Sequence, residues 1–379
     1  MRLLILSLDR KGAGPLYAFE MAKELSETND LYVITSSYCE IINRWRGLKQ
    51  SNQIGLLEIP TYTSIKEFLL SLTRMKTKTK SLFEYVDKIK PEAVYYGMGH
   101  RWESYIDKGL RKRKIPIFHT IHVPDFSSEM NLFRKILMYF SIKSNVKNSK
   151  GIFILSACYK EKFVKKWGLN ENNVWVVPHA YFSGYETTDN HLVITNKISN
   201  KKEVSILFFG RIDVYKGLDT LIAAFGIAAK KDPRLRLTIS GSGPAERLIP
   251  EIPPELASKV TLDIRWIPEE EIAGIFSKVD FLVLPFKTQA QSGVIALASS
   301  FGKPVITSAI GGLKEQIIDG ENGLLSEPEN AMAFAEKILL LSNTDSLYER
   351  IIQGIEEKRG EFSWKNSANI VIKAIEEII

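Results

Sequence analysis

Short apolar segments alternate with longer helical patterns along almost the whole chain, and this alternation limits the fold more than any other feature. In the first half, apolar runs predict strands at 3–8, 31–35, 93–96, 115–120, 152–155 and 174–177. Helical spacing is found between them, at 16–27, 65–89, 103–111, 132–148 and 160–167. Strands that alternate with helices form a parallel sheet covered on both faces, so the sequence predicts a doubly wound α/β fold.

The same pattern returns after a polar segment, which indicates two domains of similar type. Residues 191–203 have no clear period and are predicted as the linker. The predicted domains are residues 1–190 and 204–363, and a chain of 379 residues is long enough for both. Strands are predicted in the second domain at 205–209, 235–239, 261–266, 281–284 and 304–307.

Composition excludes several classes of protein. The chain is 45% hydrophobic and 25% charged, as is usual for a soluble globular protein. Its two cysteines, Cys39 and Cys158, suggest no disulfide framework. The apolar run Leu3–Leu8 is too short for the core of a signal peptide, and no stretch approaches the length of a transmembrane helix. We therefore expect a cytoplasmic protein.

Positive charge is concentrated in the first half of the chain. Residues 1–200 hold 30 Lys and Arg against 19 Asp and Glu. The densest basic runs are Thr73–Lys80 and Arg111–Lys114, and residues 131–149 have the pattern of an amphipathic helix. These features fit either a solvated and internally packed surface or docking on anionic lipids at the inner face of a membrane. No nucleic-acid-binding module is present, so no nucleic-acid partner is expected.

The segment Val204–Phe225 combines a buried strand, a polar loop and a helix. The loop begins with Gly210 and Arg211 and ends with Lys216. A guanidinium and an ammonium beside a helix N-terminus suit a group with several negative charges, such as a diphosphate. The alternative is a solvated loop with two surface cations.

Glycines and histidines follow other predicted strands. Gly12 and Gly14 would let a ligand approach the backbone, but Tyr17 stands where a dinucleotide fingerprint needs its third glycine, which disfavours a nicotinamide or flavin enzyme. His119 and His122 are three residues apart and should point in different directions. His122 is either a ligand-binding or a structural residue.

In this order, the motifs resemble the donor-site signature of GT-B glycosyltransferases, specifically the retaining family 4. The resemblance rests on GR-x4-KG (210–217), SGSGP (240–244), RWIPEEEI (265–272), the tract 279–325 and a final FSW. It implies two Rossmann-like domains that face a central cleft. It also implies that the last helix, about residues 364–379, packs on the first domain, which would bind the acceptor.

The resemblance also assigns roles to residues. It implies that Arg211 and Lys216 neutralise the leaving diphosphate and that His122 lies near the transferred sugar. Two glutamates of the family fall on Gln289 and Leu297 here, a departure that resembles a QSGV-type subgroup. The implied donor-binding residues are Gly12, Gly14, Gly210, Ile267, Gln289, Gln291, Ser292, Gly293 and Val294.

The activity implied is retaining transfer of a sugar from a nucleotide-diphosphate sugar to a hydroxyl of a glycan or lipid-linked acceptor, in polysaccharide or glycolipid assembly. No D-x-D triplet occurs in the chain, so no metal ion and no other cofactor is expected. Two alternatives remain open: a sugar-nucleotide epimerase or phosphorylase on the same fold, and a non-catalytic protein that binds polyanions.

Overall fold

The computed structural model describes residues 1–125, 132–183, 197–288 and 291–379, without the side chains of residues 133 and 134. Contacts divide them into two compact units. Unit 1 contains residues 1–125, 132–178 and 363–379, and unit 2 contains the described residues between 179 and 362.

Unit 1 is built around a parallel sheet. Its described strands are β1 (Arg2–Ser7), β2 (Asp30–Ser36), β3 (Gly55–Ile59), β4 (Ala93–Tyr96), β5 (Ile117–Ile121), β6 (Gly151–Ile154) and β7 (Val174–Val176). They lie in the order β3-β2-β1-β4-β5-β6-β7. The central strands are buried on both faces, which explains their continuous apolar sequence.

Helices cover this sheet. They are α1 (Ala13–Leu25), α2 (Ile42–Gln50), α3 (Ile65–Thr73), α4 (Met75–Lys78), α5 (Lys80–Ile89), α6 (Glu103–Lys112), α7 (Leu132–Asn148) and α8 (Lys160–Trp167), with short 3-10 helices at Ala157–Tyr159 and Glu171–Asn173. The single helix predicted over 65–89 is wrong, because the backbone leaves helical geometry at Arg74 and Thr79.

Unit 2 repeats the architecture. Its described strands, β8 (Val204–Phe209), β9 (Leu235–Gly241), β10 (Val260–Ile264), β11 (Phe281–Leu284), β12 (Val305–Ser308) and β13 (Leu324–Ser326), form a parallel sheet in the order β10-β9-β8-β11-β12-β13. Its α-helices are α9 (Leu218–Lys231), α10 (Ala245–Leu248), α11 (Glu269–Phe276), α12 (Gly293–Ser300), α13 (Leu313–Gln316), α14 (Ala331–Asn343) and α15 (Asp345–Glu357). Its short 3-10 helices are Ile198–Asn200, Val214–Lys216 and Pro254–Lys259.

The last helix, α16 (Trp364–Ile378), lies in unit 1 although unit 2 precedes it in the chain. It contacts α1, where the rings of Trp364 and Tyr17 meet edge to face with centroids 5.0 Å apart. The Ser367 hydroxyl donates to the Pro178 carbonyl across 2.9 Å. The C-terminal segment of the chain therefore forms part of unit 1.

The chain changes unit between Pro178 and His179, before the predicted boundary at residue 190. Most of the predicted linker lies outside the described residues. The part from 197 onward packs on unit 2, where the Ser199 amide and hydroxyl both donate to Asp345. No helix among the residues described is both long and apolar enough to cross a membrane.

Candidate functional site

The order of strands in unit 2 locates a crevice. The chain runs outward from β8 through β9 to β10 and then returns to β11, on the other side of β8. Ligands of doubly wound sheets bind at such a reversal, at the carboxyl ends of the strands. Two loops meet there: residues 210–217 after β8 and residues 285–288 after β11. The Lys287 amide donates to the Tyr215 carbonyl across 2.8 Å, which joins the two loops.

Lys216 occupies the junction between these loops. Its side chain is buried, with the residue only 6% exposed. The ammonium lies 4.1 Å from the centroid of the Phe286 ring and 4.9 Å from that of Tyr215. The structure shows no hydrogen bond or ion pair from this ammonium to any described residue. Lys216 is therefore a buried cation that is held by ring faces and has no counterion within hydrogen-bond distance among the residues that the structure describes.

The pKa of Lys216 is lowered from 10.5 to about 7, chiefly by burial and also by the nearby positive charge of Arg211, against the opposing effect of Asp213. Arg211 itself is exposed, and it follows Gly210 directly. The structure thus brings the two predicted cations within electrostatic reach. Because an unpaired buried charge is unfavourable, a bound anion would stabilise this arrangement.

We expect removal of the Lys216 charge to stabilise the unliganded protein. Between pH 7 and 10.5 the unfolded chain holds a proton that the folded protein has lost. The destabilising contribution of Lys216 is therefore full below pH 7 and shrinks as the pH rises through that window. Lys216→Met should exceed the wild type in free energy of unfolding at about pH 6 and by less at about pH 9, as measured in urea. A difference that does not change with pH would contradict this.

The N-terminus of α12 lies against the same loop. A Cβ atom on Gly210 would come within 3.2 Å of the Val294 side chain. The Ser292 amide donates to Gln316 Oε1 across 2.7 Å, and Gln316 Nε2 donates to the Ser292 carbonyl across 3.2 Å. The amides of Gly293 and Val294, the first residues of the helix, have no acceptor among the described residues. Free amides at a helix N-terminus favour an anion.

Two other predicted donor residues in the described part of the chain have different surroundings. Gln291 is buried and its side-chain oxygen accepts from the His179 amide across 3.0 Å. Ile267 is buried near the end of the edge strand β10, and Arg265 beside it pairs with Asp263 and Glu271. Gln289 lies outside the described residues. Leu297, at the other glutamate position, is buried within α12.

Unit 1 has an equivalent reversal between β1 and β4. Gly12 begins α1 with φ of 84°, a left-handed conformation that glycine adopts without strain. A Cβ atom on Gly14 would lie 2.9 Å from Met98 Cγ and 3.0 Å from Asp9 Oδ2. The loops after β1 and β4 therefore meet closely at Gly14. Burial raises the pKa of Asp9 to about 6.

His122 follows β5 at the same edge. Its Nε2 lies 2.7 Å from the Gly97 carbonyl oxygen, and its ring meets that of Tyr17 edge to face. A carbonyl can only accept, so Nε2 carries the proton and Nδ1 keeps the lone pair. Burial lowers the pKa of His122 to about 4. At neutral pH it is an uncharged imidazole with one acceptor nitrogen.

Two other histidines are packed into unit 1. His119 is buried, with Nδ1 2.7 Å from the Ser149 hydroxyl and its ring stacked on Tyr96. His100 accepts from the Trp102 amide and stacks on Tyr62. The pKa of each is lowered to about 3, chiefly by burial.

The structure thus gathers two groups of predicted residues. Arg211, Lys216, Gly210 and the start of α12 meet in unit 2, and Gly12, Gly14 and His122 meet in unit 1. Sequence reasoning missed Phe286, which directly follows the Pro285 that ends a predicted strand. It also missed Gln316, for which no sequence signal was available.

Part of the chain is similar to known glycosyltransferases. The family model for glycosyl transferases group 1 matches residues 203–344. An uncharacterised glycosyltransferase of Methanocaldococcus jannaschii is 32% identical over 179 residues, which cover 45% of this chain and 48% of that protein. A D-inositol 3-phosphate glycosyltransferase of Corynebacterium efficiens is 29% identical over 170 residues, 43% of this chain and 40% of that protein. The matched segments span about half or less of these relatives.

Solved structures match over the whole chain. HepE of Anabaena, in complex with UDP and glucose, has a TM-score of 0.74 at 14% identity and covers 100% of both chains. Sucrose-phosphate synthase of Thermosynechococcus elongatus has a TM-score of 0.74 at 20% identity and covers 99% of this chain and 98% of that one. The chain therefore has the GT-B fold, as predicted. Residues 203–344 belong to the glycosyl transferases group 1 family.

Proposed function

We propose that this protein is a retaining glycosyltransferase that moves a sugar from a nucleotide-diphosphate sugar to a hydroxyl of a glycan or lipid-linked acceptor. The observation that carries the proposal is Lys216, a buried cation that forms no ion pair within the described part of the chain. It lies at the strand-order reversal of unit 2, next to Arg211 and to the free amides of α12. A diphosphate would supply the missing negative charge to all three groups.

In the proposed reaction, the bond between the anomeric carbon of the sugar and the diphosphate oxygen breaks, and negative charge builds on the leaving diphosphate. The acceptor oxygen forms a bond to the same carbon on the same face, and the proton of the acceptor hydroxyl passes to the leaving diphosphate. Lys216, Arg211 and the α12 amides stabilise that charge more strongly in the transition state than in the ground state. His122, through Nδ1, accepts a hydrogen bond from a hydroxyl of the transferred sugar or of the acceptor. These cations take the place of a divalent metal, so the proposed enzyme needs none.

The acceptor belongs to polysaccharide or glycolipid assembly in this proposal. The enzyme acts in the cytoplasm, and a lipid-linked acceptor would place it at the inner face of the membrane. Structural relatives support a uridine nucleotide as the first donor to test, since HepE is known in complexes with UDP and with UDP-glucose.

We expect one nucleoside diphosphate to raise the melting temperature, in a panel of UDP, GDP, dTDP and ADP with and without EDTA. A ligand at 100 times its dissociation constant stabilises the folded state by about 2.7 kcal/mol. EDTA should change neither the shift nor turnover, whereas a strict need for Mg²⁺ would contradict the metal-free proposal. If no nucleotide shifts the melting temperature, the proposed donor site is ruled out.

The products then identify the reaction. Release of nucleoside diphosphate together with a glycoside of unchanged anomeric configuration is the expected result. An isomerised donor would indicate an epimerase, and a sugar phosphate would indicate a phosphorylase. Binding of heparin without any nucleotide preference would favour the polyanion-binding alternative.

A further inference from the structure

Helix α3 exposes large apolar side chains to solvent. Ile65, Leu69 and Leu72 are 71%, 58% and 48% exposed. Their spacing of four and three residues places them in one stripe along the helix. Leu70 is 57% exposed but lies about 100° further round the helix from Leu69, outside this stripe. Contiguous exposed aliphatic groups of this kind mark a surface that binds a protein, a membrane or another ligand.

The opposite face of α3 is anchored to unit 1. The Ser71 hydroxyl accepts from Trp102 Nε1 across 3.0 Å. At the start of the helix, Ser64 accepts from the Glu67 amide, and the Glu67 carboxylate accepts from the Thr63 amide across 2.6 Å. These contacts fix the helix, so the apolar stripe is held outward.

Basic residues lie beside the stripe. Residues 65–80 contain five Lys or Arg and one Glu. Lys66, Arg74 and Lys76 are exposed and, within the described part of the chain, have no ion pair. Helix α4, which follows α3 immediately, carries Lys76 and Lys78. The surface therefore combines exposed aliphatic groups with unpaired positive charge.

The first half of α7 also exposes large apolar side chains. Leu132 and Phe140 are 73% and 60% exposed. Ser104 at the start of α6 bonds Ser144, and Arg111 near its end bonds Asn148, so α7 runs parallel to α6. Residues 132–140 of α7 therefore extend past the start of α6, the end at which Trp102 anchors α3. Both apolar surfaces lie at the carboxyl edge of the same sheet.

We propose that α3, α4 and the first half of α7 form a docking surface for a bilayer that contains anionic lipids. The aliphatic side chains would enter the interface while the lysines and arginines meet the headgroups. A two-fold contact between copies of the chain would bring this basic surface against itself, which repulsion disfavours. A soluble polyanion would leave the aliphatic groups without a role.

Docking would present the carboxyl edge of unit 1, with His122, to the membrane surface. If unit 1 receives the acceptor, a lipid-linked acceptor would reach it there. This consequence rests on the proposed function, whereas bilayer binding does not.

The test is co-sedimentation of the full chain with vesicles of phosphatidylcholine alone or of phosphatidylcholine with phosphatidylglycerol. Strong binding to the anionic vesicles and weak binding to the neutral ones is expected. Lys76→Gln with Lys78→Gln should weaken binding by about 25-fold, since each cation near such a surface contributes about fivefold. The control is Lys230→Gln with Lys231→Gln, two exposed lysines at the end of α9 in unit 2.

A second variant tests the apolar stripe. Ile65→Ser combined with Leu69→Ser and Leu72→Ser should reduce vesicle binding by more than about tenfold. Leu340→Ser with Met332→Ser on α14 is the matched control, because those side chains are similarly exposed. The nucleotide-induced melting shift should be unchanged in all four variants, which separates this proposal from the donor site.

Three results would overturn the docking proposal. The first is a wild-type chain that does not bind anionic vesicles. The second is binding that the α3 and α4 variants leave intact. The third is self-association that the serine variant abolishes, measured by sedimentation velocity, without vesicle binding; this would make the surface an interface between copies of the chain.

Discussion

Lys216→Ala should lower turnover by about 100-fold or more while the protein remains folded. The Lys216 ammonium forms no ion pair with any acidic residue in the described ranges, so its charge is available to the leaving diphosphate. Its interaction strengthens as negative charge develops, and the loss should therefore fall mainly on kcat rather than on KM. The measurement is steady-state kinetics with the nucleotide sugar that the melting panel identifies, with released nucleoside diphosphate as the readout.

Lys287→Ala is the matched control for this prediction. Lys287 is in the adjoining loop, but its ammonium already pairs with Asp219 at 2.8 Å and with Glu329 at 3.6 Å. Its charge is neutralised within the protein, so its removal should change turnover by only about twofold or less. Full activity of Lys216→Ala, or an equal loss in Lys287→Ala, would remove the argument that Lys216 acts on the diphosphate.

Much of this site could be predicted because carboxyl ends of parallel strands meet at one edge of a sheet. The strand at Phe281–Leu284 has the predicted bounds, and the one ending at Phe209 differs by a single residue at its start. Once both strands are placed, Arg211 and Lys216 must lie near the loop that follows Pro285. The motif order then leads to the GT-B fold, which the structural relatives support.

Contacts between distant segments could not be predicted. Gln316 holds the start of α12 through two hydrogen bonds to Ser292, which lies 24 residues earlier in the chain. Nothing in the local sequence distinguishes this glutamine from an exposed one. The burial of Lys216 is similar, because it depends on Phe286 from another loop rather than on its neighbours in sequence.

Edge strands and helix breaks were missed for a different reason. The strand Gly55–Ile59 is only partly buried and lacks a continuous apolar run, and Leu324–Ser326 is three residues long. These segments are strands because they pair with β2 and β12, and their composition alone does not indicate a strand. The predicted helix over 65–89 breaks near Thr79, a buried residue whose hydroxyl donates to the Met75 carbonyl.

The second large effect is expected at Gly217, which connects the Lys216 loop to α9. Gly217 has φ of 68° and ψ of 35°, and a Cβ atom there would overlap the carbonyl oxygen of Pro285. Gly217→Ala should reduce the free energy of unfolding by about 3 kcal/mol, because the left-handed backbone and the overlap both disfavour it. It should also lower turnover, because relief of the overlap separates the loop of Lys216 from that of Phe286.

Gly168 supplies a matched comparison. It has φ of 61° and ψ of 39° at the end of α8, but no atom lies within 4 Å of an added Cβ. Gly168→Ala should therefore lower the free energy of unfolding only by the cost of the left-handed backbone conformation, about 1 kcal/mol. Urea unfolding of both variants measures the difference between their losses in free energy of unfolding. Because both glycines have a left-handed backbone, this difference gives the contribution of the close approach of Pro285. Equal losses would mean that the two loops can separate freely, and then the burial of Lys216 would not depend on their contact.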